Sequence, residues 1–217
     1  MKTFEKEIRI TVQLKYLIYL PEDYHKSEKN FPLILFLHGA GERGDNPEMV
    51  KTHGLPDLIW NQGKKFPFVI VCPQCPKFGW WSREPQVSIL NALLDDIISS
   101  YRIDKDRVYL TGLSMGGFGT WEFASSYPEK LTAIAPICGG GNPRNAEKMK
   151  HLPIWVFHGE RDRIVPLERS KEMVEALEKL GANVRFTVYP DATHDSWTKT
   201  YNNPELYDWF MKYKRKL

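Results

Sequence analysis

The chain has 217 residues, with 30 Lys and Arg against 27 Asp and Glu, a formal net charge of +3. Hydrophobic residues make up 42% and charged residues 26%, values of an ordinary folded soluble domain that exclude disorder and collagen-like or coiled-coil repeats. No apolar run approaches the ~20 residues a membrane helix needs, and a near-balanced charge argues against nucleic acid as a partner. The basic end, Lys212 to Lys216, reads as a solvated helix terminus.

From the N-terminus, residues 7–20 alternate and then run apolar (Ile8, Ile10, Val12, then Leu14, Tyr16, Ile18, Leu20), which predicts one or two early strands forming an antiparallel hairpin. Short continuous apolar runs follow at 33–37, 68–71, 108–110, 134–137, 154–157 and 184–188. Such runs suit parallel strands buried on both faces. Helical patterns lie between them, at 87–100, 115–127, 166–180 and 204–213, the third stopping at Gly181. Strand and helix alternating this often predict an α/β fold with a parallel central sheet, covering 1–217 as a single domain. The stretch 39–67, the longest without a regular pattern, is expected to form a loop over the functional site.

The strand 108–110 runs into Thr111-Gly112-Leu113-Ser114-Met115-Gly116-Gly117. Gly112-x-Ser114-x-Gly116 between a strand and a helix is the nucleophile-elbow pattern. Small residues two before and two after the serine admit the sharp turn that lifts its hydroxyl above the sheet. A serine hydroxyl needs a base and an orienting acid, each supplied by a loop after a later strand, in the order serine, acid, histidine. Asp162 follows the 154–157 strand and His194 follows the 184–188 strand, so Ser114, Asp162 and His194 are the expected triad. Glu160 is a competing acid, and Asp191 and Asp195 lie too close to His194 in sequence to face its Nδ1 easily. His25, His53 and His151 follow no core strand; His38 and His158 end strands and read as loop-holding residues. The oxyanion donors are expected at the backbone N–H of Met115 and in the loop after the first core strand, at Ala40 or at Gly41.

Other patterns read as incidental. Gly39-x-Gly41-x-x-Gly44 spells a dinucleotide fingerprint, but the ribose-binding acid at the next strand end is missing. Arg43-Gly44-Asp45 spells an adhesion tripeptide by chance. Cys72-Pro-Gln-Cys75 has redox spacing without the helix such a pair opens, and there is no second pair for zinc; a disulfide between them stays open.

These motifs together resemble small, lid-poor α/β-hydrolase esterases. His38-Gly39-Ala40-Gly41-Glu42-Arg43-Gly44 with Gly112-Leu113-Ser114-Met115-Gly116-Gly117 is similar to the predicted peptidase/esterase group, akin to polyhydroxybutyrate-depolymerase-like, feruloyl esterase and carboxylesterase/phospholipase families. The resemblance covers about residues 5–213. It implies hydrolysis of a small-molecule carboxylic ester without metal or cofactor, with Ser114, Asp162 and His194 as catalytic residues and Ala40 and Met115 as oxyanion donors. Trp80, Trp81 and Trp197 fall on loops at the catalytic edge, where they either line a cleft for short-chain or aromatic (feruloyl-type) esters or anchor the loops. A serine peptidase and a non-catalytic binding protein on the same fold are the competing functions. The N-terminal residues carry no export signal, so the chain reads as cytoplasmic, although a secreted protein trimmed of its signal would read the same. The oligomeric state is not legible.

Overall fold

Four of the seven strands among the described residues, Phe31–Leu37 (β2), Val69–Pro73 (β3), Ala133–Ile137 (β5) and Ile154–Gly159 (β6), are almost wholly buried, as near-continuous apolar runs require. The computed structural model describes residues 3–5 and 11–215. Tyr16–Tyr19 (β1), Ile103–Leu113 (β4) and Val184–Tyr189 (β7) complete one sheet of order β1-β3-β2-β4-β5-β6-β7. All neighbours pair parallel except β1, which runs antiparallel to β3. Of the early strands expected over residues 7–20, the second is β1, which is antiparallel, while the first arm of the expected hairpin falls largely outside the described residues. The antiparallel partner of β1 is β3, residues 11–15 are not strand, and residues 6–10 lie outside the described residues.

Alternate strand residues feed two cores, because successive side chains of a strand point to opposite faces. Leu33, Leu35, Leu37, Val108 and Leu110 face one core. The helices Gln86–Ser100 (α2), Met115–Ser126 (α3), Ala146–Met149 (α4) and Glu168–Glu178 (α5) cover it. Helix α2 buries Val87, Leu90, Leu94 and Ile97 at the three- and four-residue spacing of one helix face. Ile34, Phe36, Tyr109, Trp155 and Phe157 face the second core, under Trp197–Asn202 (α6) and Pro204–Lys212 (α7). Asn203 caps α7 through its side chain, with Pro204 at the first helical position.

The 39–67 segment, expected as one irregular loop, is a series of short helical turns. It folds as a 3₁₀ turn at Pro47–Thr52, a turn of α-helix at Gly54–Pro56 (α1) and a π turn at Asp57–Asn61. It buries Val50, Leu55, Leu58 and Ile59 in the second core. Three kinds of turn within 15 residues share no common period, which is why the sequence pattern is silent there. Gly54, at φ +70°, is required: a Cβ there would meet the Phe36 ring at 2.8 Å.

The six parallel strands bring the loops after β2, β3, β4, β5, β6 and β7 to one edge of the sheet, where open α/β sheets place their sites. Among the described residues no helix is long and apolar enough to cross a membrane.

Candidate active site

Strand β4 passes directly into α3 through Ser114, whose φ is +52°. A non-glycine residue in that region is strained by ~1–3 kcal/mol, and the surrounding contacts hold it there. The Ser114 N–H donates to the Ile137 carbonyl at 3.0 Å. The flanking glycines are dictated by close backbone approach. A Cβ at Gly112 would lie 2.5 Å from the Gly116 carbonyl oxygen, and one at Gly116 only 1.9 Å from that of Leu37. Since those neighbours are backbone of the elbow and of β2, neither can yield. Gly116→Ala is therefore expected to cost more than ~4 kcal/mol. Denaturant unfolding checks this, and a variant within 1 kcal/mol of the parent, on the order of ordinary surface changes, contradicts it.

The structure brings Ser114, Asp162 and His194 together. Ser114 Oγ donates to His194 Nε2 at 2.9 Å, and His194 Nδ1 donates to Asp162 Oδ2 at 2.7 Å. The Asp162 side chain is fully buried, and its Oδ1 accepts the N–H groups of Ile164 and Val165 at 2.8 and 2.9 Å. The competing acids are elsewhere: Asp191 pairs with Lys199, Asp195 caps α6 through Thr198, and Glu160 is exposed. His158 holds its loop, as its position suggests, through Val165 O and Ser170 Oγ. It also stands 3.2 Å from Asp162 Oδ2, and burial pushes its imidazole down. That second contact to the acid was not anticipated.

The loop after β2 starts a 3₁₀ turn at Ala40, whose carbonyl is held by Arg43 Nε at 2.9 Å. Met115 opens α3, where the first N–H groups have no acceptor within the helix. These are the two expected donors. His38 supports the loop from below. Its Nε2 accepts the Cys75 N–H at 2.9 Å, which leaves the proton on Nδ1 to donate to Gly39 O. Burial pushes the His38 imidazole down to about 4. Because the folded value lies below the unfolded 6.5, the unfolded chain takes up the proton first, and stability falls as pH drops from about 6.5 to about 4. The His38 share of that loss is about 3 kcal/mol. Urea unfolding at the two ends of the window should show a smaller pH dependence for His38→Asn than for the parent. Glu42, raised by its own burial and 3.7 Å from His38, acts in the opposite direction in both proteins, so the difference reports His38. Equal pH dependence in the two proteins refutes the assignment.

The three tryptophans part ways. Trp81 is completely buried; its indole N–H donates to His38 O at 3.2 Å and its ring packs edge-on to the His38 imidazole. It anchors the loop and does not line a cleft. Trp80 is partly exposed beneath the Arg43 guanidinium, and Trp197 sets its ring edge-to-face on His194 at 5.3 Å. His53, which follows no core strand, packs its ring at a tilt against Trp197 with centroids 5.6 Å apart and approaches the buried Glu42 at 3.7 Å. Cys72 and Cys75 are free, buried thiols, the second pushed up to about 12 by burial. The glycine pattern at 39–44 leads into a three-residue 3₁₀ turn and not into the helix a dinucleotide requires. Cys138, next after β5 and fully buried, lies against the acid–base pair.

This sheet, with a serine at the strand–helix elbow and an acid and a histidine on later loops, is the α/β-hydrolase fold. The chain belongs to the dienelactone hydrolase family, whose model matches residues 78–213. It is 31% identical over 188 residues to a bifunctional acetylxylan esterase/xylanase of Neocallimastix patriciarum, covering 83% of this chain and 26% of that protein. It is 27% identical over 169 residues to feruloyl esterase D of Neurospora crassa, covering 73% of this chain and 57% of that one. A solved thermostable esterase superposes with a TM-score of 0.82 at 34% identity, over 94% of this chain and 60% of that one. The chain thus spans between about a quarter and three fifths of the length of these relatives.

Proposed function

We propose that the protein is a serine carboxylesterase acting on short-chain or aromatic carboxylic esters through an acyl-enzyme. The observation that carries this reading is the imidazole of His194 bridging Ser114 at 2.9 Å and Asp162 at 2.7 Å. His194 Nε2 takes the Ser114 proton as Oγ attacks the ester carbonyl, while Asp162 holds the tautomer with the proton on Nδ1 and offsets the positive charge that develops. The Ala40 and Met115 N–H groups receive the oxyanion. Collapse expels the alcohol, which takes its proton from His194. Water then attacks the acyl-enzyme by the same route and releases the acid.

The substrate class rests on the rim. Trp80, beneath Arg43 of the oxyanion loop, and Trp197, against His194, offer partly exposed rings suited to a flat or short acyl group. The name of the feruloyl esterase relative agrees with an aromatic acyl group. The test is a series of p-nitrophenyl esters of increasing acyl length together with methyl ferulate and peptide amides, with fluorophosphonate labelling mapped by peptide mass. Labelling at Ser114 with turnover of acetate or ferulate is expected. Preference for long acyl chains overturns the substrate class, amide cleavage ahead of ester cleavage overturns the esterase reading, and an unlabelled Ser114 overturns the nucleophile.

A further inference from the structure

We propose that Cys138, Asp162 and His194 form a binding site for a soft divalent cation, of the zinc or cadmium type, whose occupancy switches the hydrolase off. The inference rests on the triad reading for its effect on activity, and on the geometry alone for binding.

Cys138 has no place in the acyl-transfer chemistry, yet its backbone sits at φ +40°, in the left-handed region that favours glycine. Its N–H donates to Phe157 O at 2.9 Å, which holds the strained residue in place at the end of β5. The thiol is fully buried, and its sulfur, an oxygen of Asp162 and a ring nitrogen of His194 all lie within 4.8 Å of one another. A second observation points to the same spot. The Ser196 hydroxyl is fully buried without any hydrogen-bond partner and lies beside the Cys138 thiol. An orphaned hydroxyl costs free energy unless something at the site needs a donor, and a thiolate would.

One sulfur, one imidazole nitrogen and one carboxylate oxygen are a zinc-type donor set, with a fourth, tetrahedral position left for water. Bonds of ~2.0–2.3 Å place such donors ~3.2–3.9 Å apart, so the cluster closes onto a cation by shifts of about 1 Å. One thiolate and one carboxylate cancel the cation's two charges, which a buried site demands. Burial pushes the Cys138 thiol up, so only a thiophilic cation displaces its proton. Magnesium and calcium, which require oxygen cages, do not.

On binding, the cation takes the place of the proton that His194 Nδ1 shares with Asp162. The thiol proton leaves to solvent, and the ring proton moves from Nδ1 to Nε2. An imidazole protonated at Nε2 cannot accept the Ser114 proton, so nucleophile activation stops while the serine itself is untouched.

Purified protein is assayed for ester hydrolysis against zinc chloride and cadmium chloride, with magnesium chloride as control. Inhibition at concentrations on the order of micromolar, reversed by EDTA and absent with magnesium, is expected. In Cys138→Ser, measured against its own uninhibited rate, the half-inhibitory concentration should rise at least about tenfold. Binding is read independently on Ser114→Ala, where cadmium should raise the ultraviolet thiolate-to-metal charge-transfer band. Adding His194→Ala to that variant should shift the titration at least about tenfold without altering any thiol. Equal metal sensitivity of Cys138→Ser and parent overturns the site, as does a cadmium titration that gives no band or is indifferent to His194→Ala. A cadmium band on a protein that hydrolyses no ester instead sinks the proposed function and leaves the site standing.

Discussion

Ser114→Ala is expected to lower kcat for p-nitrophenyl acetate on the order of 10⁶-fold while leaving the fold intact. The loss is that large because His194 then has no proton to accept and the acyl-enzyme cannot form; what remains is water attack on a bound ester. Stability should hardly follow activity. Ser114 gives up one hydrogen bond, to His194, worth about 1 kcal/mol, and the alanine inherits the same strained backbone at φ +52°. Ser114→Gly separates the two effects. It is equally inactive, yet it should be more stable than Ser114→Ala by ~1 kcal/mol, because glycine adopts that conformation without strain. Steady-state kinetics and denaturant unfolding of the three proteins read both quantities. A residual rate within tenfold of the parent, where about 10⁶ is expected, removes Ser114 from the chemistry. Equal stability of the alanine and glycine variants removes the strain argument.

How far the sequence reached depended on whether a residue's surroundings are written locally. The buried strands β2, β3, β5 and β6 are unbroken apolar runs, and the elbow is a local motif in which Gly112 meets Gly116 four residues on, so both were legible, even though Gly116 itself answers to Leu37 of the neighbouring strand. Asp162 and His194 were legible through strand order, since each occupies the first loop that its parallel strand brings to the catalytic edge. Trp80 and Trp81 are adjacent and identical in type; only the packing of Trp81 under His38 and against α3 separates the anchor from the rim. Glu42 reads as a polar loop residue, but its side chain is 95% removed from solvent beneath the oxyanion loop, with one carboxylate oxygen unpartnered. Cys138 is 24 residues from Ser114, 24 from Asp162 and 56 from His194 by its place in the chain, and only the pairing of β4, β5, β6 and β7 brings it to them. Contacts made across strands leave no periodic trace, and those are the contacts the reading missed.

Asp162→Asn should cost about 10⁴-fold in kcat, although it removes only a charge and changes almost no volume. The direction follows from what surrounds the carboxylate. Oδ1 accepts two backbone N–H groups, from Ile164 and Val165, so an asparagine must keep its carbonyl oxygen there. Its NH₂ is then forced into the Oδ2 position, 2.7 Å from His194 Nδ1 and 3.2 Å from His158 Nε2. A donor facing Nδ1 is satisfied only when that nitrogen is bare. The His194 proton therefore moves to Nε2, where it faces Ser114 and blocks proton transfer. His158 Nε2, already donating to Val165 O, meets a second donor and cannot relieve the conflict. The fold should survive, because both backbone hydrogen bonds to the side chain persist. Raising the pH should restore part of the rate, since hydroxide can remove the misplaced Nε2 proton, whereas Ser114→Ala gains nothing by the same treatment. A kcat within tenfold of the parent, against the expected 10⁴, or a loss that alkaline pH leaves unchanged, shows that the acid does not act through the His194 tautomer.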